Sequence, residues 1–297
     1  SGWPRSRQGR TDGMTGRRTG ITLGAAALAV AAIFALEWPT DRPEAASTFG
    51  TLSDGRFSTG MLVGSGDGLV RTAAAGDLAF VLDGDSLAGG FPSTLGAFVA
   101  VAHPQDLTTV YGRLEPGTLS TYLTTVRERD ILGRVSGAGA AAWFGVFDRA
   151  KDAWVNPLIL LAPEKDSISP VIRSVLLSND ERSYRLGEAR TVRQGRYEVL
   201  LDTADPAGTA AGRAPYSVRL LVDGIERFAC RFDSAAAPEG VLLFDPRDAR
   251  TGPDFYDERG FMRLGTLDLA RGAAYLNVSV ADFEGNSREL TYQLAVE

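Results

Sequence analysis

Past its first forty residues the chain arranges its apolar positions in short runs bounded by Gly, Pro, Asp and Ser. That is the pattern of strands rather than of helices. Leu78 to Leu82, Gly96 to Ala102, Leu107 to Leu114 and Trp143 to Phe147 are such runs in the first half. Val171 to Leu177, Tyr197 to Leu201, Tyr216 to Asp223, Arg227 to Phe232, Val241 to Phe244, Tyr275 to Ala281 and Leu290 to Val296 follow in the second. Thr118 to Arg129 alone has a helix-like spacing, and a weak one. A boundary is expected at Ala162 to Pro170 (APEKDSISP), where charge, Ser and two Pro interrupt the apolar runs.

The strand runs beyond that boundary, spaced by turn signals such as Asp223-Gly224 and Glu284-Gly285-Asn286, predict an immunoglobulin-like β-sandwich over residues 164–297. Such a unit is expected to fold by itself and without a disulfide, because Cys230 is the one cysteine of the chain. With Phe228 and Phe232 two residues away on either side, Cys230 reads as a small core residue rather than a reactive thiol.

The amino-terminal segment has a different pattern. Arg5, Arg7, Arg10, Arg17 and Arg18 stand against Asp12 in residues 1–20, a local charge of +4, and an uncharged 16-residue run follows from Ile21 to Leu36. A basic flank before such a run is an export signal, here predicted as one hydrophobic helix retained as a membrane anchor. The leader is then inside the cytoplasmic membrane and everything after about residue 40 is outside it, in the periplasm or beyond. Residues 1–46 are assigned to this leader and anchor.

Composition narrows the chemistry. The 297 residues are 44% hydrophobic and 23% charged, a globular balance with room for two domains. From residue 47 onward 25 basic residues face 33 acidic ones, a net −8, so no nucleic-acid face is expected. One His and one Cys cannot supply the usual several-ligand zinc site or a disulfide, and they strain the rules for a Cys nucleophile with a His base, which leaves a single Ser-His-Asp site to test. Gly84-Asp85-Ser86-Leu87 matches the nucleophile block of GDSL-type esterases, yet the lone imidazole, His103, follows Ser86 by only 17 residues in a β-rich context. A surface loop is the better reading. Gly64-Ser65-Gly66-Asp67-Gly68 lacks the Gly-Lys-Ser/Thr of a phosphate loop and reads as a tight turn.

Residues 47–163 carry an ordered set of motifs. His103-Pro-Gln-Asp-Leu-Thr-Thr-Val-Tyr111-Gly-Arg113-Leu114 resembles the strand-turn-strand signature of lysostaphin/LytM-type cell-wall zinc peptidases. Upstream, Phe57-Ser-Thr-Gly60-Met-Leu62 resembles that family's Phe-His-x-Gly-x-Asp block, and Ala73-Ala-Ala-Gly76-Asp-Leu-Ala-Phe80 its Ala-Gly-x-Val strand. Downstream, Asp130-Ile-Leu-Gly133-Arg-Val-Ser-Gly137 resembles the Gly-x-x-Ile-Gly-x-x-Gly turn, and Ala141-Ala-Trp143-Phe144-Gly-Val146 stands in place of the His-x-His-Phe-x-Val strand. The fold implied is mainly β: a LytM-type sheet domain, then the immunoglobulin-like sandwich.

The same resemblance implies that the catalytic apparatus is gone. The family's metal-binding His and Asp fall at Ser58 and Leu62, its last metal-binding His at Trp143, and its two catalytic His at Arg113 and Ala141. His103 aligns outside that set and reads as a satisfied turn histidine. No catalytic residue, metal or cofactor is expected. If strand alternation holds, Tyr111 and Arg113 share a face near Trp143 and form a possible binding groove, with Trp143 as a plug for the vacated site as the competing reading. The function implied is that of a non-catalytic regulator or scaffold of peptidoglycan remodelling in the bacterial envelope. Its expected partner is peptidoglycan or a cell-wall hydrolase such as an amidase. The alternative is a peptidoglycan-binding or adhesion module.

Overall fold

The structure is a computed structural model, and it describes residues 35–42, 44–53, 56–87, 90–137, 140–206, 213–236 and 252–297. Residues 21–34 of the predicted hydrophobic helix and the run Val241 to Phe244 lie outside these residues, while Leu36, the end of that predicted helix, forms a β-bridge with Leu161 instead. Among the described residues no helix is long and apolar enough to cross a membrane. The fold is mainly β, and Leu36–Glu297 forms one compact unit.

The first half is built on a large sheet. Its strands run side by side in the order Ala45–Ser47, Met61–Gly64, Ala141–Asp148, Leu107–Leu114, Ala97–Ala102, Gly76–Leu82 and Thr125–Val126. Every pair is antiparallel. One side of this sheet is a sealed layer containing Met61, Val63, Val99, Val101, Tyr111, Phe144 and Val146, each 1% exposed or less. The runs Leu107 to Leu114 and Trp143 to Phe147 fall on two adjacent strands at its centre, where most positions are buried on both faces.

The second half is a sandwich. One sheet orders Ser183–Arg185, Val171–Ser178, Gly195–Ala204 and Met262–Leu269; the other orders Thr191–Val192, Ser287–Val296, Gly272–Ala281, Ser217–Val222 and Ile225–Arg231. Their inner faces meet in one core that includes Val175, Tyr197, Val218, Leu264 and Val278. Cys230 is half-buried against that core and forms no disulfide.

Three sequence expectations change. Thr118 to Arg129 is not helical: it is turn followed by the short strand Thr125–Val126. Its Thr- and Ser-rich content opposes a helix that no apolar face stabilises. The folded unit starts earlier than residue 47, since Leu36 and Trp38 are buried and the Trp38 indole donates to the Ala162 carbonyl at 2.9 Å.

The two halves are also less separate than a boundary at 163/164 implies. Phe49, 1% exposed, belongs to the sandwich core, and Phe57 packs beside it against Phe232 and Phe255. In return Ser234–Ala236 pairs with Ala153–Val155 and so extends the first sheet. Asn156 fixes this exchange by donating from its backbone to the Asp233 carbonyl at 2.8 Å and from Nδ2 to the Phe232 carbonyl at 2.9 Å.

Candidate functional site

The face of the first sheet opposite the sealed layer carries the positions singled out by motif order. Met61–Gly64 and Leu107–Leu114 flank Ala141–Asp148, and the register sets Leu62 and Gly112 on either side of Trp143, with Ala141 opposite Gly64. Directly paired residues share a sheet face, and so do residues two apart on one strand. Leu62, Ala141 and Trp143 therefore converge on one patch, although Leu62 and Trp143 are 81 positions apart in the sequence.

Trp143 fills that patch. It is 8% exposed and packs with Ala100, Val110, Leu62, Leu95 and Phe98, its indole edge-on to Trp154 at 5.7 Å between ring centroids. Glycines make room for it. A Cβ at Gly60 would lie 2.5 Å from the indole, and one at Gly145 would overlap it as well. Leu95 lies over Gly112, where a Cβ would meet the Leu95 carbonyl at 3.1 Å. Gly145→Ala is therefore expected to destabilise the protein by about 1–3 kcal/mol through overpacking, read as a lower midpoint in chemical unfolding.

The other former-site positions offer no ligand set. Ser58 donates from Oγ to the Gly60 carbonyl at 2.9 Å and lies outside the strands. Arg113 is exposed and cationic. Zinc takes thiolate, imidazole or carboxylate donors, so Leu62, Ala141, Trp143, Arg113 and Ser58 do not fit the metal of the peptidases the motifs resemble.

The groove expected from Tyr111, Arg113 and Trp143 does not form. Between Tyr111 and Leu114 the strand places Gly112 and Arg113 opposite Phe98 alone, a bulge, and Arg113 takes φ of 59°. The extra residue breaks the two-residue alternation on which the shared face depended. Tyr111 points into the sealed layer with no exposure, Trp143 lies on the opposite layer, and Arg113 turns out to solvent.

Tyr111 instead belongs to a buried polar chain with His103. The Ala73 amide donates to the Tyr111 hydroxyl at 2.8 Å, which lies 2.9 Å from Thr109 Oγ1. Thr109 Oγ1 is 2.7 Å from His103 Nε2, and His103 Nδ1 donates to the Ala75 carbonyl at 2.9 Å. This set ties the Ala73–Ala75 segment to the central strand. Burial pushes the Tyr111 hydroxyl up to about 12, so it stays a neutral phenol. With both ring nitrogens engaged, His103 is not placed to serve Ser86, which sits in an exposed turn 3.3 Å from Asp85 Oδ1. The glycine loop at 64–68 is likewise structural: its Gly66 amide donates to Asp41 Oδ1 at 2.8 Å.

Burial holds the His103 imidazole below its ordinary 6.5, with Arg149 acting in the same direction and the Ala75 bond opposing. A folded value below the unfolded one means that the stabilisation is present above about pH 6.5 and is lost as pH falls through the folded value. Unfolding free energy is therefore expected to drop on acidification below about pH 6.5, and His103→Gln should flatten that part of the profile. An identical slope in wild type and variant would contradict it.

Comparison with known proteins places these features as follows. An uncharacterized protein of Treponema pallidum is 32% identical over 116 residues, which are 37% of this chain and 79% of that protein. A protein-family model matches residues 169–297, the span of the sandwich. Two crystal structures of Helicobacter pylori Csd3 are 24% and 25% identical, each covering 46% of this chain, with TM-scores of 0.34 and 0.33. The chain spans 35% and 37% of those Csd3 chains, about a third of their length. The SpoIIQ–SpoIIIAH pore forming complex contains a chain that is 18% identical, with 43% of this chain and 91% of that one covered at a TM-score of 0.34.

Proposed function

The chain belongs to the family of that Treponema pallidum protein, and for it we propose a non-catalytic role: a LytM-type pseudopeptidase of the cell envelope that regulates or scaffolds peptidoglycan remodelling. The observation that carries this reading is the Leu62–Trp143 pair. Motif order alone assigns these two residues to metal-binding positions, and they are register partners on adjacent strands, closed over by an indole. A sheet that aligns such positions and then fills them with apolar side chains keeps the scaffold and discards the chemistry. The carboxy-terminal half supports an immunoglobulin-like assignment, since Thr191–Val192 runs parallel to the last strand while its neighbours pair antiparallel, around two facing sheets.

The partner is a cell-wall hydrolase, such as an amidase, or peptidoglycan itself. The basic leader and apolar run support export and anchoring at the cytoplasmic membrane. Arg113 is an exposed charge next to Gly112, the register partner of Trp143. Pull-down of envelope proteins alongside sedimentation with purified sacculi tests the role. Enrichment of a hydrolase supports the regulator, sedimentation alone supports a peptidoglycan-binding module, and neither outcome contradicts both. Arg113→Ala should change stability by no more than about 0.5 kcal/mol while weakening whichever binding is found. Undiminished binding would remove this edge of the sheet from the account.

A further inference from the structure

A second cluster lies where the link between the halves meets the sandwich. Asp166 belongs to that link. Asp282 and Glu284 belong to the turn joining Gly272–Ala281 to Ser287–Val296. One carboxylate oxygen from each lies within 4.8 Å of the other two. The turn is held rigidly: the Asn286 amide donates to Asp282 Oδ1 at 2.8 Å, and Asn286 Nδ2 donates to Asp282 Oδ2 at 2.8 Å and to the Asp166 carbonyl at 3.2 Å.

Acidic side chains gather on many surfaces without consequence, but here one of them is buried and unsatisfied. The Asp166 side chain is 5% exposed; its Oδ1 accepts from the Ile168 amide at 2.9 Å, while its Oδ2 accepts no hydrogen bond among the described residues. A buried carboxylate oxygen that accepts no hydrogen bond is costly, and a bound ion or water satisfies it. The cation in ion-pair contact with the group is Arg213, and it is committed elsewhere. Its Nη2 donates to Glu164 Oε1 at 2.9 Å and its Nε to the Ala45 carbonyl at 2.8 Å, leaving Nη1 at 3.9 Å from Asp166 Oδ2. The Arg213 guanidinium thus meets Glu164 and Asp166, and no ion pair among the described residues reaches Asp282 or Glu284.

The geometry points to a divalent-cation site for calcium, with Asp166, Asp282 and Glu284 as its protein carboxylates. Calcium binds oxygen at about 2.3–2.6 Å, so ligands on opposite sides of one ion stand about 4.6–5.2 Å apart. The three oxygens already fall inside that span. Magnesium is the weaker fit, because it demands a strict octahedron and sheds its water reluctantly, whereas calcium accepts an irregular shell of carboxylate oxygens. The remaining positions of a calcium shell would be completed by water. Burial, with repulsion from Asp282, Asp166 and Glu164, raises the Glu284 carboxyl above its ordinary range, and a bound cation relieves that repulsion. The ion would tie the interdomain link to the last turn of the sandwich and so stiffen the junction between the halves. The scarcity of His and Cys does not bear on it, because calcium takes oxygen donors.

Thermal unfolding of the full chain in calcium, magnesium or chelator, with calorimetric titration of calcium alone, tests this. Calcium at about a hundred times its dissociation constant should raise the midpoint by about 5 °C or more over chelator, and magnesium by less. Glu284→Gln and Asp166→Asn preserve side-chain shape and should each abolish the calcium shift. Either variant is also expected to match or exceed the wild type in chelator, because repulsion is removed. No heat and no midpoint change in the wild type at about 5 mM calcium, above the affinity range of weak extracellular sites, would overturn the site and leave a proton shared within the cluster. A calcium shift that persists in both variants would overturn it equally.

Discussion

Replacing Trp143 with alanine should destabilise the protein by about 3–5 kcal/mol, one of the two largest single-residue effects expected. The indole fills the space among Leu62, Leu95, Ala100, Val110 and Trp154, and glycines at 60 and 145 leave no side chain able to collapse into the cavity. The change should appear as a lower denaturant midpoint at constant slope, with peptidoglycan or partner binding retained under conditions where the variant is folded. If binding were lost while stability stayed within about 1 kcal/mol of wild type, Trp143 would be a recognition surface and not a plug. The distinction bears directly on function. A plug means that the patch formed by Leu62, Ala141 and Trp143 is closed, and that recognition occurs at its edge or elsewhere.

A comparable loss, about 3–5 kcal/mol, is expected from Phe49→Ala. The residue lies in the first half of the chain, yet its ring is buried among Phe57, Phe232 and the rest of the sandwich core. Hydrogen exchange should show protection falling in the sandwich strands Val171–Ser178 and Met262–Leu269 as well as locally. For the same reason a fragment of residues 164–297 should be much less stable than the same residues in the full chain: it lacks Phe49 and the Ala153–Val155 strand that pairs with Ser234–Ala236. Protection loss confined to residues 48–58, or a fragment as stable as the whole, would restore two independent domains.

Strand existence was legible where burial leaves an unmistakable apolar run. Leu107 to Leu114 coincides with a central strand, and Val171 to Leu177, Tyr275 to Ala281 and Leu290 to Val296 fall within strands of the sandwich. Met262–Leu269 has no legible run although Met262, Leu264, Leu267 and Leu269 reach the core from the edge of their sheet, because Arg263, Gly265, Thr266 and Asp268 break its apolar pattern into single positions. Long-range sharing was not legible at all: nothing in Thr48-Phe49-Gly50 signals that the Phe ring completes a core more than a hundred residues away in sequence. At the candidate site, motif order indicated which residues would converge, but alternation misplaced Arg113. A bulge depends on pairing partners, and a left-handed φ at Arg has no signature in one sequence. The glycines that receive the indole were in view, and Gly145 two residues beyond Trp143 on the same strand face was the available signal.

The proposal that this sheet works without chemistry is tested most directly by supplying the missing ingredient. The full chain, incubated with excess zinc and purified sacculi, is expected to release no soluble peptidoglycan fragments above a protein-free control, since Leu62, Trp143, Ala141, Arg113 and Ser58 give zinc no ligand set. Zinc-dependent release of cleaved stem peptides, abolished by chelator and lost in Trp143→Ala, would contradict that account.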